Sequence, residues 1–573
     1  MSESMTTDVL IVGGSIAGLA AAITAKEKDP ALDVTVVEKY TSGYSGKANR
    51  GAGIMLILGD DSPEDFAQFY LKHIGLYLNN QNALLKYASM LNGNADAIDK
   101  WSGGKIDKGE DGKFHTLKWG SKPVGKKEDG KPIFDQNTPY PWTLVAIELD
   151  YMRNVRRYAR KLGIKFVDRT GMVDLLTDGG KAAGIVAYDI DTGEQKLFGA
   201  KAVVLACGNQ CYRVMPMWSP ARGEGVAAAY RAGAKFTNCE YGSFYNWTNL
   251  DHFESEMGVE YCLYNNKGDN IGLPTIKKVH PDINAESIAA WYKETIAGNG
   301  PMHYRDSENP LNCFTHSMLA SQDFYNRPYS DRLWGYLFFN AFSQQTNDHI
   351  VPGLVGEFGG LWVDEGMATT IPGLFGAGDL VVHGSRAWGA TAQPGRHRGS
   401  GIGFATFSGR VAGPSAADYA AGASQLALSD EQAASTEARF TAPLKSKGKM
   451  KHMEMVAEIQ KVVQPVGNSL YRHESRMKTA LAQVEDLKAK LPELKAEDPH
   501  GQFGVNECAS AVLCAEMFFK TSLERKESLG WFLREDYPEP SKDGLEWITV
   551  QDKDGQIALS RERVPLETYP YQP

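Results

Sequence analysis

The order of elements at the N-terminus is the feature that most constrains the fold. A short apolar run at 8–12 leads into a glycine-rich turn at 13–18, a segment of helical character follows, and a second apolar run at 34–37 ends at Glu38. In such a strand–turn–helix–strand unit the helix N-terminus binds a pyrophosphate, because its N–H groups are free and its dipole is positive there. A carboxylate about 20 residues past the turn can accept hydrogen bonds from a ribose.

This pattern therefore predicts a dinucleotide site. Gly13 permits the tight turn, and Gly18 permits close packing of the helix on the strand. Ser15 replaces the middle glycine of the usual pattern, and its small side chain should still let a phosphate approach. The residues assigned to this part of the site are Gly13, Gly14, Ser15, Ala17, Gly18, Glu38 and Lys39.

Two later passages indicate which dinucleotide is bound. The apolar run at 201–205 ends in a small-residue turn, and 371–379 repeats this arrangement with Asp379 at its end. Both passages resemble signatures of large flavoproteins, in which that aspartate contacts the ribityl chain of the flavin. A further helix start at 399–403 would bring its positive end to the reduced ring. The resemblance implies FAD and assigns to it Ala206, Cys207, Gly208, Gly378, Asp379, Ser400, Gly401 and Gly403.

The C-terminal segment 523–538 narrows the resemblance. It is similar to the motif R-x-E-S-R-G-x-H-x-R-x-D-[FY]-P of the fumarate reductase/succinate dehydrogenase flavoprotein superfamily, although Leu529 and Phe532 replace the usual Arg and His. Within that superfamily the likeness is closest to the flavoprotein (alpha) subunit of dissimilatory adenylylsulfate reductase. Succinate dehydrogenases bind FAD covalently through a histidine. Gly46, after Ser45, stands at that place, so the resemblance implies non-covalent FAD.

Composition excludes several other classes of protein. The chain has 573 residues, a formal net charge of −9 and no notable basic tract, which argues against nucleic acid and anionic membranes as partners. No apolar run approaches the roughly 20 residues of a membrane span. The N-terminus is short and acidic and lacks the features of a targeting signal, so a cytoplasmic location is expected.

The cysteines indicate where the electron partner must lie. None of the seven forms C-x-x-C, so neither an iron–sulfur cluster nor a zinc site is expected on this chain. Cys207 is expected to serve packing, with a redox role as the alternative. There is no second nucleotide-binding turn for NAD(P)H, and the resemblance implies a small ferredoxin-like iron–sulfur subunit in a heterodimer.

The expected fold class is α/β. It comprises a Rossmann-like FAD-binding domain, an inserted α+β capping domain, and a C-terminal helical domain with an extended aromatic arm that would lie on a neighbour. The expected boundaries are 1–235 and 361–425 for the two parts of the FAD-binding domain, 236–360 for the capping domain, 426–530 for the helical domain and 531–573 for the arm. Coarser patterns predict helix from 62 to 101 and a surface loop from 118 to 136.

The substrate site departs from both branches of the superfamily. The resemblance places a histidine in the turn at 353–358, where Glu357 stands instead, and an arginine in the strand at 241–249, which has none. That aromatic strand could stack a flat substrate or form ordinary core. The cluster at 396–398 could bind an anion, tune the flavin, or contact FAD phosphate or another subunit. The candidate catalytic residues are Arg386, Tyr245, Trp247, His349, Arg396, His397 and Arg398.

These losses favour a planar organic substrate, including an aromatic or quinol-like one, that carries at most one anionic group. The substrate would meet the flavin, and electrons would pass to or from the iron–sulfur subunit. Three alternatives stay open: a genuine adenylylsulfate reductase, a fumarate-reductase-like reductase of an unsaturated carboxylate that uses Arg386, and a non-catalytic electron-transfer flavoprotein.

Overall fold

The computed structural model describes residues 3–49, 53–118, 123–126, 132–134, 143–148, 150–214, 221–249, 254–256, 259–276, 284–305, 346–392 and 399–573. Its strands are β1 (Glu3–Val12), β2 (Val34–Val37), β3 (Ile54–Ile57), β4 (Thr116–Lys118), β5 (Pro123–Lys126), β6 (Pro132–Phe134), β7 (Thr143–Ala146), β8 (Lys165–Val167), β9 (Thr170–Asp178), β10 (Lys181–Asp189), β11 (Gln195–Leu205), β12 (Phe236–Thr237), β13 (Phe244–Asn249), β14 (Glu254–Glu256), β15 (Leu263–Tyr264), β16 (His303–Arg305), β17 (Thr346–Gly356), β18 (Leu374–Gly376), β19 (Tyr471–Arg472), β20 (Leu533–Arg534), β21 (Glu546–Lys553) and β22 (Gln556–Arg563).

Helices cover the sheets and form most of the C-terminal third. They are α1 (Ile16–Lys28), α2 (Pro63–Tyr70), α3 (Gln81–Ser102), α4 (Tyr151–Lys161), α5 (Glu224–Arg231), α6 (Ala285–Ile296), α7 (Ser400–Gly422), α8 (Asp430–Lys445), α9 (His452–Val463), α10 (Val466–Ser469), α11 (Glu474–Lys490) and α12 (Pro499–Glu524). Within the described ranges, no helix is both long enough and apolar enough to cross a membrane.

The central sheet has the predicted Rossmann-like order. Strands β8, β2, β1 and β11 are parallel neighbours, and β18 adds to β11 in parallel. Strands β9 and β10 continue the sheet in antiparallel pairing from the first half of β11. The parallel strands read as continuous apolar runs because helices cover both faces of such a sheet. As a result, the carboxyl ends of β1, β11 and β18 lie side by side.

Helices α1 and α7 lie on this sheet and pack closely against each other, because glycines of α7 line the contact between them. A Cβ atom added to Gly409 would lie 2.2 Å from the carbonyl oxygen of Ala17, and one added to Gly413 would lie 2.2 Å from that of Ala21. The two backbones can approach only without side chains there. The N-terminal ends of α1 and α7 therefore lie in the same layer of the molecule.

The inserted region forms its own antiparallel sheet, in the order β14-β13-β17-β16-β15. Strand β13 pairs with β17 along its length, with Trp247 opposite Pro352 and Asn249 opposite Ile350. Helix α6 lies in the same region, so strands and helix together match the predicted α+β insertion.

Three coarser predictions were wrong in detail. The segment 62–101 is not one helix, because a π-helical turn at Leu71–Gly75 and a loop separate α2 from α3. The stretch 118–136 includes the strands β5 and β6, so it is more than a loop. The aromatic arm has a core, because it packs on this chain. The hairpin β21–β22 pairs with β12, and Trp531 and Trp547 are buried in the core.

Candidate functional site

The turn between β1 and α1 has the geometry of a pyrophosphate site. Gly13 has a φ of 111°, and a Cβ atom there would lie 2.4 Å from the carbonyl oxygen of Ala206, so only glycine fits. Ser15 is the N-cap of α1, yet it makes no side-chain cap hydrogen bond, and the first helical turn holds no acidic residue. The helix N-terminus is thus left open to an anionic ligand.

Glu38 ends β2 beside this turn, as the motif predicts. Its carboxylate accepts hydrogen bonds from the N–H of Gly14 at 2.7 Å and from that of Tyr40 at 2.9 Å. The residue is 8% exposed. These two bonds fix the carboxylate at the entrance of the turn, where the ribose of a dinucleotide would lie. The neighbouring Lys39 points elsewhere and forms ion pairs with Glu224 and, at 2.8 Å, with Glu507.

The second and third predicted segments meet the same turn. The N–H of Ala206 donates to the carbonyl of Val12 at 2.8 Å, and that of Ala377 donates to Leu205 at 2.9 Å. Gly378 has a φ of 71°, and a Cβ atom there would lie 2.9 Å from the Cβ of Ala17. The segments 206–208 and 378–379 and the start of α1 therefore form one continuous wall.

The start of α7 lies near β3 and α3. A Cβ atom on Gly399 would lie 2.7 Å from the backbone nitrogen of Leu56, and one on Gly403 would lie 2.9 Å from the hydroxyl of Tyr87. Ser400 is fully buried, while Gly401 has open space around it. The small residues predicted for this segment are thus required by close packing at Gly399 and Gly403.

Cys207 is placed for packing. Burial, reinforced by the charge of Glu224, raises the pKa of its thiol to about 12. A Cβ atom on Gly225 would lie 2.3 Å from its sulfur. A thiol with so high a pKa does not supply a thiolate at neutral pH, so the packing interpretation is favoured over the redox one.

The loop after β2 tests whether FAD fits. The Ser45 hydroxyl oxygen is buried and has no hydrogen-bond partner among the residues that the structure describes, an arrangement that a bound polar ligand would satisfy. Gly46 has a φ of 82°, and a Cβ atom there would lie 2.5 Å from the hydroxyl oxygen of Ser15. The loop therefore closes directly over the start of α1. Together with the open helix N-terminus and Glu38, it fits a dinucleotide.

A buried charged cluster lies where these segments converge, and the sequence did not predict it as a unit. We call Lys47, Asn209, Cys211, Glu357 and Asp379 the Lys47 cluster. The Lys47 ammonium lies 2.5 Å from a carboxylate oxygen of Glu357 and 3.0 Å from one of Asp379. Asn209 donates to the same Glu357 oxygen, and Cys211 donates to the side-chain oxygen of Asn209 at 3.1 Å. The five residues come from four separate segments.

The two carboxylates and one ammonium perturb one another. Burial raises the pKa of Glu357, and this effect prevails over the opposing one of the Lys47 ammonium. Burial disfavours the Lys47 ammonium as well, but Asp379 and Glu357 hold its pKa well above the ordinary value. Lys47 therefore stays charged, whereas burial disfavours the ionised form of Glu357.

Glu357 also has an unusual backbone. The φ of Glu357 is 111°, in a region that glycine favours, and the side chain is buried. The strained turn is held by two hydrogen bonds to Gln210, because the N–H groups of Glu357 and Phe358 both donate to that carbonyl. Such strain persists where the surrounding structure fixes it, and it concentrates at functional sites.

Arg386 is buried away from the Lys47 cluster. Its guanidinium lies 4.1 Å from the ring centre of Trp547 and 5.4 Å from that of Trp362, and one nitrogen lies 3.8 Å from Glu562. Burial lowers its pKa. In this position the side chain anchors the hairpin β21–β22, and no contact of it with a predicted FAD residue is observed in the described part of the chain.

The aromatic strand is core. Tyr245 and Trp247 are both 0% exposed. The Tyr245 hydroxyl donates to the carbonyl of Gln464 at 2.8 Å, and the Trp247 indole N–H donates to Glu260 at 2.9 Å. Both polar ends thus have protein partners, and neither ring offers an open face, which favours the core alternative over stacking.

His349 lies on β17, the strand that pairs with β13, opposite His303 of β16, with ring centres 6.2 Å apart. Arg396, His397 and Arg398 lie outside the described residues. The structure therefore brings together the described FAD residues other than Lys39, and it places Arg386 apart from the strand of Tyr245 and Trp247. A lysine directly after Ser45 and Gly46, in a loop of small residues, was the one sequence signal for the Lys47 cluster.

Comparisons with known proteins agree with this geometry. Residues 8–248 match the family described as "FAD binding domain", and residues 457–573 match "Fumarate reductase flavoprotein C-term". The chain belongs to the fumarate reductase/succinate dehydrogenase flavoprotein family. It is an FAD-dependent oxidoreductase, and FAD, when bound, supplies hydride and electron transfer.

Several relatives span nearly the whole chain. The 8-methylmenaquinol:fumarate reductase flavoprotein subunit of Wolinella succinogenes is 28% identical over 92% of this chain and 86% of its own length. A fumarate reductase flavoprotein subunit of Haemophilus influenzae is 24% identical over 94% of this chain and 90% of its own.

Solved structures show the same fold. An E. coli quinol fumarate reductase superposes with a TM-score of 0.76 at 18% identity, covering 99% of this chain and 98% of the other. The adenylylsulfate reductase of Archaeoglobus fulgidus gives 0.72 at 19% identity, covering 98% and 96%. Both branches named from the sequence are thus represented.

Proposed function

We propose that this protein is the flavoprotein subunit of an oxidoreductase that acts on an organic substrate with at most one anionic group. The observation that carries the proposal is the balance of charge around the cofactor site. Lys47 is matched by two carboxylates, whereas the guanidinium of Arg386 packs on two tryptophans and contacts none of the described FAD residues. A buried dianion needs cations that are not already paired, and the described part of the site offers none near Glu357.

The expected shape of the substrate changes with the structure. A planar, aromatic or quinol-like molecule was predicted from stacking on Tyr245 and Trp247, but both rings are enclosed. The proposal therefore specifies a substrate of low charge and does not require the substrate to be planar.

A separate iron–sulfur subunit is the proposed electron partner. The relatives from Wolinella and Haemophilus are named as flavoprotein subunits, which implies that each works with other chains. In the ranges that the structure describes, no group of three or more His, Cys, Asp or Glu could hold a metal ion. A small ferredoxin-like subunit that exchanges electrons with FAD is the partner that the family resemblance implies.

The residues of this chain would have separate roles in binding FAD. The open N-terminus of α1 would bind the pyrophosphate, Glu38 the ribose and Asp379 the ribityl chain. The Lys47 cluster would set the charge beside the ring, and the close packing of α7 would keep water out. These assignments place no catalytic role on Tyr245, Trp247 or His349.

The proposal is tested by anaerobic titration of the purified holoprotein, followed through its flavin absorbance. Adenylylsulfate, sulfite with adenylate, fumarate and succinate should leave the flavin bands unchanged, whereas a neutral quinol or a monocarboxylate enoate should shift them or change the redox state. Reduction of the flavin by sulfite with adenylate, or reoxidation of the reduced flavin by fumarate at enzymatic rates, would contradict the proposed charge limit.

One alternative has specific support. The relatives named as fumarate reductases favour reduction of an unsaturated dicarboxylate, and Arg396, His397 and Arg398 could supply the missing cations. Titration with fumarate decides whether the protein reduces an unsaturated dicarboxylate, and titration with sulfite and adenylate decides whether it is an adenylylsulfate reductase. A flavin spectrum that responds to no small molecule would favour the electron-transfer flavoprotein.

A further inference from the structure

We propose that Glu357 takes up one proton from solvent each time the flavin is reduced by two electrons, and returns it when the flavin is reoxidised. The proposal requires only the FAD of this family and does not depend on the identity of the substrate. Glu357 thereby couples proton uptake from solvent to the redox state of the cofactor.

The place of the cluster supports this role. Asp379 follows β18, and Asn209 and Cys211 follow β11. All three residues therefore lie at the carboxyl ends of parallel strands, where sheets of this kind bind their cofactors. The turn that contains Glu357 packs directly on the segment after β11, since a Cβ atom on Gly356 would lie 2.7 Å from the Cα of Cys211. Lys47 enters from the loop that closes over α1.

The count of charges supports it as well. The charged and titratable groups that face Glu357 are Lys47, Asp379 and Cys211, with Arg222 beyond the cysteine. Burial raises the pKa of Cys211 to about 12, so its thiol is neutral. With one ammonium against two carboxylates, the cluster carries a surplus negative charge while Glu357 is ionised. A reduced flavin that has taken one proton adds another negative charge nearby, and protonation of Glu357 removes the surplus.

The cluster reaches solvent through Lys47. The Glu357 side chain is 7% exposed, but that of Lys47 is 18% exposed and contacts it at 2.5 Å. The step balances as two electrons and one proton to the flavin, with a second proton forming an O–H bond on Glu357. In turnover the electrons come from the substrate or the iron–sulfur partner, and in the test below they come from dithionite.

The test is a spectroelectrochemical titration of the bound flavin over a series of pH values on both sides of neutrality, because the pKa of Glu357 is raised by burial. Wild type should show a segment in which two protons accompany two electrons, where the midpoint potential falls by about 30 mV more per pH unit than in the one-proton segment. The reduced flavin should keep the spectrum of its anionic form throughout that segment.

Three variants sharpen the result. Glu357→Gln should lose the two-proton segment, and Lys47→Met should move it to higher pH, because loss of the ammonium makes Glu357 harder to ionise. Glu516→Gln is the matched control, since Glu516 is also a buried carboxylate paired with lysines, Lys488 and Lys520, but it lies on α12. This control should titrate like wild type.

Several outcomes would overturn the proposal. They are a one-proton slope in wild type over the whole range, a two-proton segment retained in Glu357→Gln, and a two-proton segment that coincides with the spectrum of neutral reduced flavin, which would put the proton on the ring. The first and third need only the wild type, so they decide the question even if Glu357→Gln fails to hold FAD.

Discussion

At the scale of single residues, Glu38 joins the local structure of the turn to cofactor binding. Its carboxylate already holds the N–H groups of Gly14 and Tyr40. Its place at the end of β2 leaves it beside the expected ribose. A hydrogen bond to a charged acceptor contributes roughly 1.5–3 kcal/mol.

We therefore expect Glu38→Ala to weaken FAD binding roughly ten- to hundred-fold, in line with that energy. The dissociation constant can be measured by flavin fluorescence after reconstitution of the apoprotein. Glu485→Ala, which removes an exposed carboxylate on α11, is the control and should bind FAD like wild type. Equal flavin affinity in Glu38→Ala and wild type would refute the ribose role.

Arg386 has a packing role in the structure that differs from the role predicted for it. The sequence predicts a substrate contact, while the structure packs the guanidinium on Trp547. A desolvated cation–π contact is worth about 2 kcal/mol. Arg386→Ala should therefore lower the free energy of unfolding by about 2 kcal/mol and speed hydrogen exchange in β21 and β22.

The control for this variant is Arg561→Ala, which removes a half-exposed arginine from the same hairpin and should change stability by less than about 1 kcal/mol. If Arg386→Ala instead leaves unfolding and exchange untouched and abolishes turnover, the sequence-based substrate role is correct.

The residues of the FAD site could be predicted because their chemistry is local. Gly13, Gly18 and Glu38 belong to one motif whose spacing follows from a tight turn and a ribose. The Lys47 cluster could not be predicted in the same way, since its five residues come from four segments and only the fold brings them together. The burial of Tyr245 and Trp247 was likewise open, because aromatic residues in a strand suit both core and binding surface.

At the scale of elements, α12 is fastened to the FAD-binding sheet by charge. Glu507 of α12 pairs with Lys39 at the end of β2 and with Arg213 after β11. Burial raises the pKa of Glu507, but these two cations prevail and hold it at about 2. The contact therefore links the helical region to the end of the sheet that holds Glu38.

This lowered pKa gives a pH dependence with a definite sign. Because the folded pKa is about 2 and the ordinary value is 4.5, ionised Glu507 stabilises the fold fully above pH 4.5, and this stabilisation is lost as the pH falls toward 2. Glu507→Gln should cost about 3 kcal/mol at neutral pH, and the difference from wild type should shrink as the pH falls.

Urea unfolding at a series of pH values measures this difference. Glu485→Gln, on the exposed face of α11, should follow the wild-type curve. A Glu507→Gln variant whose deficit stays constant from neutral pH to about pH 2 would show that the ion pairs do not control the acid limb.

The strands of the FAD-binding unit followed from apolar runs. The runs at 8–12, 34–37 and 201–205 lie in β1, β2 and β11. The break between α2 and α3 was missed because apolar spacing continues through Leu71 and Ile74, while the backbone there adopts a π-helical turn that no residue type announces.

At the scale of the whole molecule, the C-terminal tail was misjudged for a physical reason. Prolines and aromatic residues without an alternating pattern suggest an arm with no core of its own. In the fold, Trp547 instead donates its indole N–H to the carbonyl of Leu78 at 2.7 Å and is buried against the FAD-binding part of the chain. The tail thus gains its core from residues far away in sequence.

The central claim concerns a single FAD held without a covalent bond by three segments of this chain. The family resemblance places a flavin-linking histidine at the position of Gly46, which has no room for a side chain because a Cβ atom would lie 2.5 Å from the Ser15 hydroxyl oxygen. The most direct measurement is the identity and yield of flavin released when the purified holoprotein is denatured and centrifuged. The account predicts that all of the flavin appears in the supernatant as FAD, in a one-to-one ratio to protein. Flavin fluorescence that stays with the polypeptide in denaturing electrophoresis, or release of FMN in place of FAD, would contradict it.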